Sequence, residues 1–168
     1  VELGRAESIP FETGRYDHAM AQLVLHFVSA PDAAVSEMVR VVRPHGSVSA
    51  CVWDFDGGME MLRCFWDAAL ENDPTAPDEA GTMRFGRSGE ITELFTAAGL
   101  DDVIASTLRV SSHYAGFDEL WNGFLAGVGP AGAYCVSLDD DDRDRLRAAL
   151  FRRLGEPTGP FELGAIAR

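Results

Sequence analysis

The chain has 168 residues, 46% of them hydrophobic, and a formal net charge of -13 because 27 acidic residues oppose 14 lysines and arginines. This length permits one domain that buries roughly 70% of its unfolded surface. The charge repels a phosphate backbone, and no window holds the ~18 consecutive apolar residues of a membrane span. A secretory leader is not visible. We therefore expect a cytoplasmic domain without nucleic-acid or membrane partners.

The first part of the chain predicts a strand, a helix and a second strand. Residues 18–27 are nearly all apolar, which is typical of a strand covered on both faces. A helix begins near Pro31 and ends before Pro44 and Gly46. Residues 47–54 then predict another buried strand. The connection is long enough for a crossover, so we expect the two strands to pair in parallel.

The remainder alternates between helical and extended patterns. Periodicity and turn residues predict a helix at 57–72, a loop at 73–81, a helix at 88–99, extended chain at 102–114, helices at 117–128 and 139–154, and a strand at 161–167. This alternation predicts an α/β layer fold.

The three cysteines are odd in number and lack C-x-x-C spacing, and no histidine has a second ligand at metal-binding spacing, so we expect no metal site.

Four stretches follow one another in an informative order. They are GRAESIPFETGRYDHAMAQLVLHFV, AAVSEMVRVVRPHGSVSACVWD, ELFTAAGLDDV and the tail that runs from GPAGAYCVSLDDDDRDRLRAALFRRL to GPFELGAIAR. In this order they resemble the C-terminal two-thirds of a class I S-adenosylmethionine-dependent methyltransferase that acts on small molecules. The resemblance covers nearly the whole chain. It places the apolar run at 18–27 at the fourth strand of that fold.

The resemblance implies a Rossmann-like sheet of mostly parallel strands with a C-terminal antiparallel strand. Residues 1–168 would form a single, partial domain with helical inserts at about 57–87 and 117–136. No glycine-rich turn follows a first strand, and no acid ends a second one, as a nucleotide-binding half requires. About 70 to 90 residues of a usual family member are therefore lacking, by the size of such a half. We expect a truncated form of the fold.

The resemblance also implies a site for S-adenosylmethionine. Ala6 and Glu7 occupy loop positions that approach the adenine in relatives. Arg5 stands where relatives carry an aspartate, and it cannot accept a hydrogen bond from the adenine amino group. Gln22 and Leu23 lie at the end of the fourth strand, beside the methionine part of the cofactor. The alternative for Glu7 is an ordinary polar loop residue.

His26 follows at the rim of this strand and is the candidate catalytic residue. A histidine there would act as a base or orient a nucleophile, because its ordinary pKa lies near neutrality. The alternative is a structural histidine bound to a backbone carbonyl. Residues expected to line the pocket of a small apolar or aromatic acceptor are Trp53, Asp54, Phe65, Trp66 and Trp121. Packing within the core and between helices would explain these aromatic residues equally well.

The lacking half has two expected consequences. Lost charge-assisted contacts to the cofactor, each worth about 1.5–3 kcal/mol, should leave S-adenosylmethionine binding by this chain weak or absent. The strand at 18–27 would keep a bare edge, which predicts a homodimer through that edge. We therefore expect methyl transfer to a small-molecule acceptor, impaired or incomplete in this chain. The alternative is a non-catalytic binding or dimerisation module derived from a truncated methyltransferase.

Overall fold

The computed structural model describes all residues, 1–168, and divides them into two compact units. The first unit contains Val1–Asp54, Arg84–Leu108 and Ala167–Arg168. The second contains Phe55–Met83 and Arg109–Ile166. No helix has the length and apolar character that crossing a membrane requires.

The first unit is a two-stranded parallel sheet with helices packed against it. Its elements are β1 (Tyr16–Gln22), a single 3-10 turn (Leu25–Phe27), α1 (Pro31–Val41), β2 (Val42–Cys51) and α4 (Glu90–Ala97), the last numbered by its place in the whole chain. β1 pairs with β2 in parallel, from His18 opposite Ser47 to Gln22 opposite Cys51. The predicted parallel pairing of these two strands is thus confirmed.

A close backbone approach explains the glycine at the start of this pairing. The register shifts between Tyr16 and His18, where β2 bulges. A Cβ at Gly46 would collide with the Val42 side chain and the Asp17 carbonyl. Only glycine therefore fits where β2 returns to the ladder.

Helix α1 covers one face of the sheet. Pro31 occupies its first turn, Asp32 meets the positive end of its dipole, and Val35 and Met38 enter the core of the unit. The opposite face of the sheet is open, since Met20 keeps 81% of its surface. The prediction that this strand is covered on both faces is wrong for this chain, because helices pack on one face only.

The predicted strand at 18–27 is also shorter than expected. β1 ends at Gln22 because Leu23 adopts a left-handed backbone (φ 55°), and Leu25–Phe27 then form the 3-10 turn, in which Leu25 and His26 are buried. An unbroken apolar run does not reveal such a turn, because a buried strand and a buried turn both consist of apolar residues.

The second unit is mainly helical. Its elements are α2 (Glu60–Asn72), α3 (Glu79–Thr82), β3 (Leu108–Tyr114), α5 (Phe117–Leu125), α6 (Gly129–Ser137), α7 (Asp140–Arg153) and β4 (Phe161–Ala167). β3 and β4, whose outer residues Leu108 and Ala167 belong to the first unit, form a second, antiparallel sheet. Periodicity did not predict α3 and α6 individually, although α3 and nearly all of α6 lie within the helical inserts expected at about 57–87 and 117–136. The extended segment predicted from 102 becomes a strand only at Leu108.

Side-chain caps account for the boundary between α6 and α7. The Asp139 carboxylate accepts a hydrogen bond from the Asp142 amide at 2.8 Å and so caps the start of α7. Arg143 donates to the carbonyls of Cys135 and Leu138, which end α6 without intrahelical partners. The side chains of Asp139 and Arg143 therefore stabilise the start of α7 and the end of α6.

Candidate functional site

The candidate site lies at the carboxyl edge of the β1–β2 sheet. Parallel strands bring their carboxyl ends to the same edge, which is where open α/β sheets bind ligands. Here β1 ends at Gln22 and β2 at Cys51, and the Leu23 amide donates to the Cys51 carbonyl at 2.7 Å. Gln22 is exposed and Leu23 half-buried, so this edge presents both side chain and backbone groups.

His26 connects three segments that meet beside this edge. It lies in the 3-10 turn and is buried. Its Nε2 accepts a hydrogen bond from the Trp53 backbone N–H at 2.9 Å, and its Nδ1 lies 2.8 Å from the Arg84 carbonyl oxygen. A carbonyl only accepts, so Nδ1 carries the proton and donates. The two contacts therefore fix the neutral Nδ1–H tautomer.

The surroundings of His26 also hold it neutral. Burial lowers the pKa of His26, and this outweighs the opposing effect of the hydrogen bond to Arg84. Because both ring nitrogens bind backbone groups, a proton transfer at this ring would first have to break one of those bonds. The geometry agrees with the structural alternative stated for this residue, and a catalytic role stays a prediction.

The loop with Ala6 and Glu7 is held against the start of α1. The Ser29 hydroxyl donates to Glu7 Oε1 at 2.8 Å, and Arg5 Nε lies 3.6 Å from Oε2. Hydrogen bonds from its own backbone N–H and from Ser29 lower the pKa of Glu7. The carboxylate is thus engaged within the protein, which leaves backbone groups of Ala6 and Glu7 as the available contacts for a ligand.

A Glu–Arg clamp on α1 holds the rest of this loop. Glu37 accepts from the Ile9 amide at 2.8 Å, while Arg40 donates to the carbonyls of Ile9 and Phe11 at 2.9 and 2.8 Å. The hydrogen bond from Arg40 brings the pKa of Glu37 to about 2. Sequence reasoning missed this clamp, although an acid and an arginine three residues apart on a helix were a visible signal.

Trp53 and Asp54 continue β2 into a short antiparallel pairing with the end of the chain. Trp53 bridges Ala167, and Val52 exchanges two backbone hydrogen bonds with Arg168 at 2.8 and 2.9 Å. The buried Asp54 carboxylate lies 2.7 Å from Arg168 Nη1. Its charge is therefore compensated by a partner that backbone pairing holds in place.

Phe65, Trp66 and Trp121 lie in the hydrophobic core of the second unit. Phe65 stacks on Phe124 with ring centroids 4.3 Å apart, and the Trp66 indole N–H donates to the buried Glu79 carboxylate at 2.8 Å. Burial raises the pKa of Glu79. Packing accounts for all three aromatic residues, and their predicted contact with a substrate would require this core to open.

The structure thus assembles seven of the ten predicted site residues in the first unit. Backbone contacts join Leu23 to the end of β2 and His26 to Trp53, and the Glu7 loop meets the segment that follows the 3-10 turn. Sequence reasoning missed Arg84 and Ser29, which complete these contacts. Neither residue type carries a signal for such a role, because Arg84 acts through its carbonyl and the Ser29 hydroxyl binds a carboxylate 22 residues away in the sequence.

Comparison with known proteins bears on the fold of the chain. Residues 1–50 match the model of a family described as a methyltransferase domain. No curated protein matches the chain. Among solved structures, a candidate type II methyltransferase of Anaeromyxobacter dehalogenans is 18% identical with a TM-score of 0.54, over 96% of this chain and 66% of that one.

Two further solved structures show the same likeness. A candidate methyltransferase from an antibiotic biosynthesis pathway of Anabaena variabilis has a TM-score of 0.52 at 16% identity, over 98% of this chain and 70% of that one. A candidate methyltransferase of Bacillus halodurans has 0.52 at 13%, over 98% and 67%. This chain therefore spans about two thirds of their length. Its fold is the class I methyltransferase fold, which confirms the predicted fold class.

Proposed function

We propose that this chain takes part in S-adenosylmethionine-dependent methyl transfer to a small-molecule acceptor. The observation that supports it is the carboxyl edge of the parallel sheet, beside which the Glu7 loop is held by Ser29 and by the Glu37–Arg40 clamp. A loop fixed in this way keeps backbone groups in place before a ligand arrives, which reduces the entropy lost on binding.

The residues present fit part of such a cofactor. Backbone groups of Ala6 and Glu7 would contact its adenine, and Gln22 and Leu23 its methionine portion. The cofactor supplies an activated methyl group, so the protein contributes mainly alignment of the acceptor and exclusion of water. His26, in its neutral form, would position the chain around Trp53 rather than exchange protons.

Calorimetric titration with S-adenosylhomocysteine tests this function. Micromolar binding that weakens several-fold in Gln22→Ala would support it, because that exposed side chain lies at the strand end without shaping the core. Glu162→Gln is the matched control, since Glu162 is an exposed polar residue of the second unit. Absence of heat at millimolar ligand would contradict cofactor binding by this chain.

A second candidate function is a dimerisation module, and the open edge of β1 favours it. β1 has a strand on one side only, and Met20 is 81% exposed. Unpaired strand edges recruit other strands. Each copy carries a net charge of -13, so repulsion should oppose pairing and added salt should strengthen it.

Sedimentation velocity tests the dimer. We expect a dimer at micromolar concentration, and a monomer for Met20→Lys. Val128→Lys is the control, because Val128 is 79% exposed but lies in the second unit. A monomer for the unchanged chain across the salt range would contradict the module.

A further inference from the structure

A pocket of about 320 Å³ lies within the second unit, between α5, α7 and the loop that leads to β4. Residues 115–118 at the start of α5 form one side, and residues 157–159 of the loop form another. Arg147 and Phe151 of α7 complete the lining. Small-molecule sites span about 300–1,000 Å³, so this pocket has room for a ligand the size of a free amino acid.

Two aromatic rings and a proline form the apolar part of the lining. Phe117 is buried, and its ring meets the ring of Phe151 edge to face, with centroids 5.0 Å apart. Phe151 and Pro157 are only half-buried, so part of each remains accessible from the pocket. An apolar side chain of a ligand can therefore pack against Phe151 and Pro157.

One cation and one anion form the polar part of the lining. Arg147 Nη2 donates to Asp118 Oδ1 at 2.6 Å, and Arg147 Cζ lies 5.1 Å from the centroid of the Phe117 ring. The aromatic ring and the carboxylate together hold the guanidinium in one orientation. No other charged residue lines the pocket, so its polar part presents both signs side by side.

Both charged groups keep hydrogen-bonding capacity that the protein does not use. A guanidinium has several N–H donors, and Arg147 makes one hydrogen bond, to Asp118. Oδ2 of Asp118 has no partner in the protein. The neighbouring Glu119 is engaged elsewhere, because its carboxylate accepts from the Ala115 amide at 2.6 Å. The pocket therefore offers a ligand an acceptor beside a set of donors.

We propose that this pocket binds a free α-amino acid with an apolar side chain. In such a zwitterion the ammonium and the carboxylate are neighbours, as Asp118 and Arg147 are in the pocket. The ammonium pairs with Asp118 and the carboxylate with Arg147, while the side chain packs on Phe151. A ligand with a single charge is attracted by one of these two protein groups and repelled by the other, which favours the zwitterion.

The exposure of the Asp118–Arg147 pair makes its groups available to the ligand. The two side chains are 81% and 42% exposed, and ion pairs at the surface contribute little to stability. Sharing these groups with an amino acid therefore costs the fold little. The site does not depend on the methyl transfer proposed above, because all its residues belong to the second unit.

The experiment compares three ligands by calorimetric titration into the full chain. L-Phenylalanine carries both charges, phenylpropionate lacks the ammonium, and phenethylamine lacks the carboxylate. We expect saturable binding of phenylalanine at millimolar concentration or below, and at least a fivefold loss of affinity for each of the other two ligands. Equal binding of all three ligands, or no saturation with phenylalanine, would overturn the proposal.

Variants of α5 and α7 test the two charged groups. Arg147→Met and Asp118→Asn should each weaken phenylalanine binding several-fold. Arg145→Met is the matched control, because Arg145 is an exposed arginine of the same helix that pairs with Asp142 and does not line the pocket. Equal losses in Arg145→Met and Arg147→Met would refute a specific role of Arg147.

Hydrogen–deuterium exchange locates the bound amino acid. Saturating phenylalanine should slow exchange at residues 115–118 and 158–159, which line the pocket. Protection at residues 22–26 instead would show that the amino acid occupies the carboxyl edge of the β1–β2 sheet, and it would rule out the pocket as its site.

Discussion

Replacement of His26 by leucine gives the most direct test of how the candidate site is held together. The variant removes the acceptor of the Trp53 amide and the donor to the Arg84 carbonyl. Each buried polar group left without a partner costs about 1–3 kcal/mol. We therefore expect His26→Leu to lower the free energy of unfolding by about 2–4 kcal/mol.

Urea unfolding at pH 7.5, followed by circular dichroism, measures this loss. With a slope of about 2 kcal/mol per molar urea, the midpoint should fall by about 1–2 M. His18→Leu is the matched control, because His18 is exposed and its ring nitrogen lies 2.7 Å from the Ser47 hydroxyl, so its effect should stay within about 0.5 kcal/mol. Equal midpoints for His26→Leu and the unchanged chain would refute the reasoning.

The pH dependence of the same variants checks the protonation state. Burial lowers the pKa of His26 in the folded chain, so the unfolded chain binds more protons below its ordinary pKa of about 6.5. The stability that neutral His26 contributes is complete above that value and is lost as the pH falls through the folded pKa. The difference in free energy of unfolding between the unchanged chain and His26→Leu should therefore be smaller at pH 5 than at pH 7.5.

Three further predictions concern the core, the loop and a buried acid. Phe65→Ala should destabilise the second unit by about 3–5 kcal/mol in thermal unfolding, because Phe65 is fully buried. Arg40→Met should speed hydrogen exchange at the Ile9 amide, because the clamp loses its cation. Glu79→Gln keeps an acceptor for Trp66 without a buried charge, so its melting temperature should exceed that of the unchanged chain at pH 7. Burial raises the pKa of Glu79, so the folded chain favours its neutral carboxyl, and that stabilisation is lost as the pH rises through the raised pKa. The melting temperatures of Glu79→Gln and the unchanged chain should therefore become equal below about pH 4.5, where Glu79 is neutral in both the folded and the unfolded chain.

Local patterns predicted most of the regular elements. Pro31 and the apolar spacing after it defined α1, and the strand at 161–167 lies where its apolar pattern placed it. The patterns did not reveal α6, because small and apolar residues occupy all faces of this helix and leave little amphipathic signal. They also predicted β1 and the turn that holds His26 as a single strand, because one apolar run covers both.

The candidate site was harder to predict because its contacts use the backbone. His26 was identified from its position after an apolar run, but its partners are the N–H of Trp53 and the carbonyl of Arg84, which any residue type would supply. Sequence patterns report side chains, and they report long-range backbone contacts only indirectly. Glu7 shows a related limit, because its carboxylate accepts a hydrogen bond from the Ser29 hydroxyl, a contact between residues 22 apart that no local pattern reports.

These contacts show which partners the buried polar groups at the carboxyl edge bind. The buried polar groups there, His26 and Asp54, bind the protein itself: one holds two backbone segments, and the other holds Arg168 beside Val52. Both groups fix the positions of their partners, and the His26 ring, whose two nitrogens both bind backbone, is also a poor proton exchanger. Methyl transfer from a sulfonium depends on alignment more than on acid–base chemistry. A carboxyl edge built from satisfied buried groups is therefore compatible with the methyl transfer proposed above.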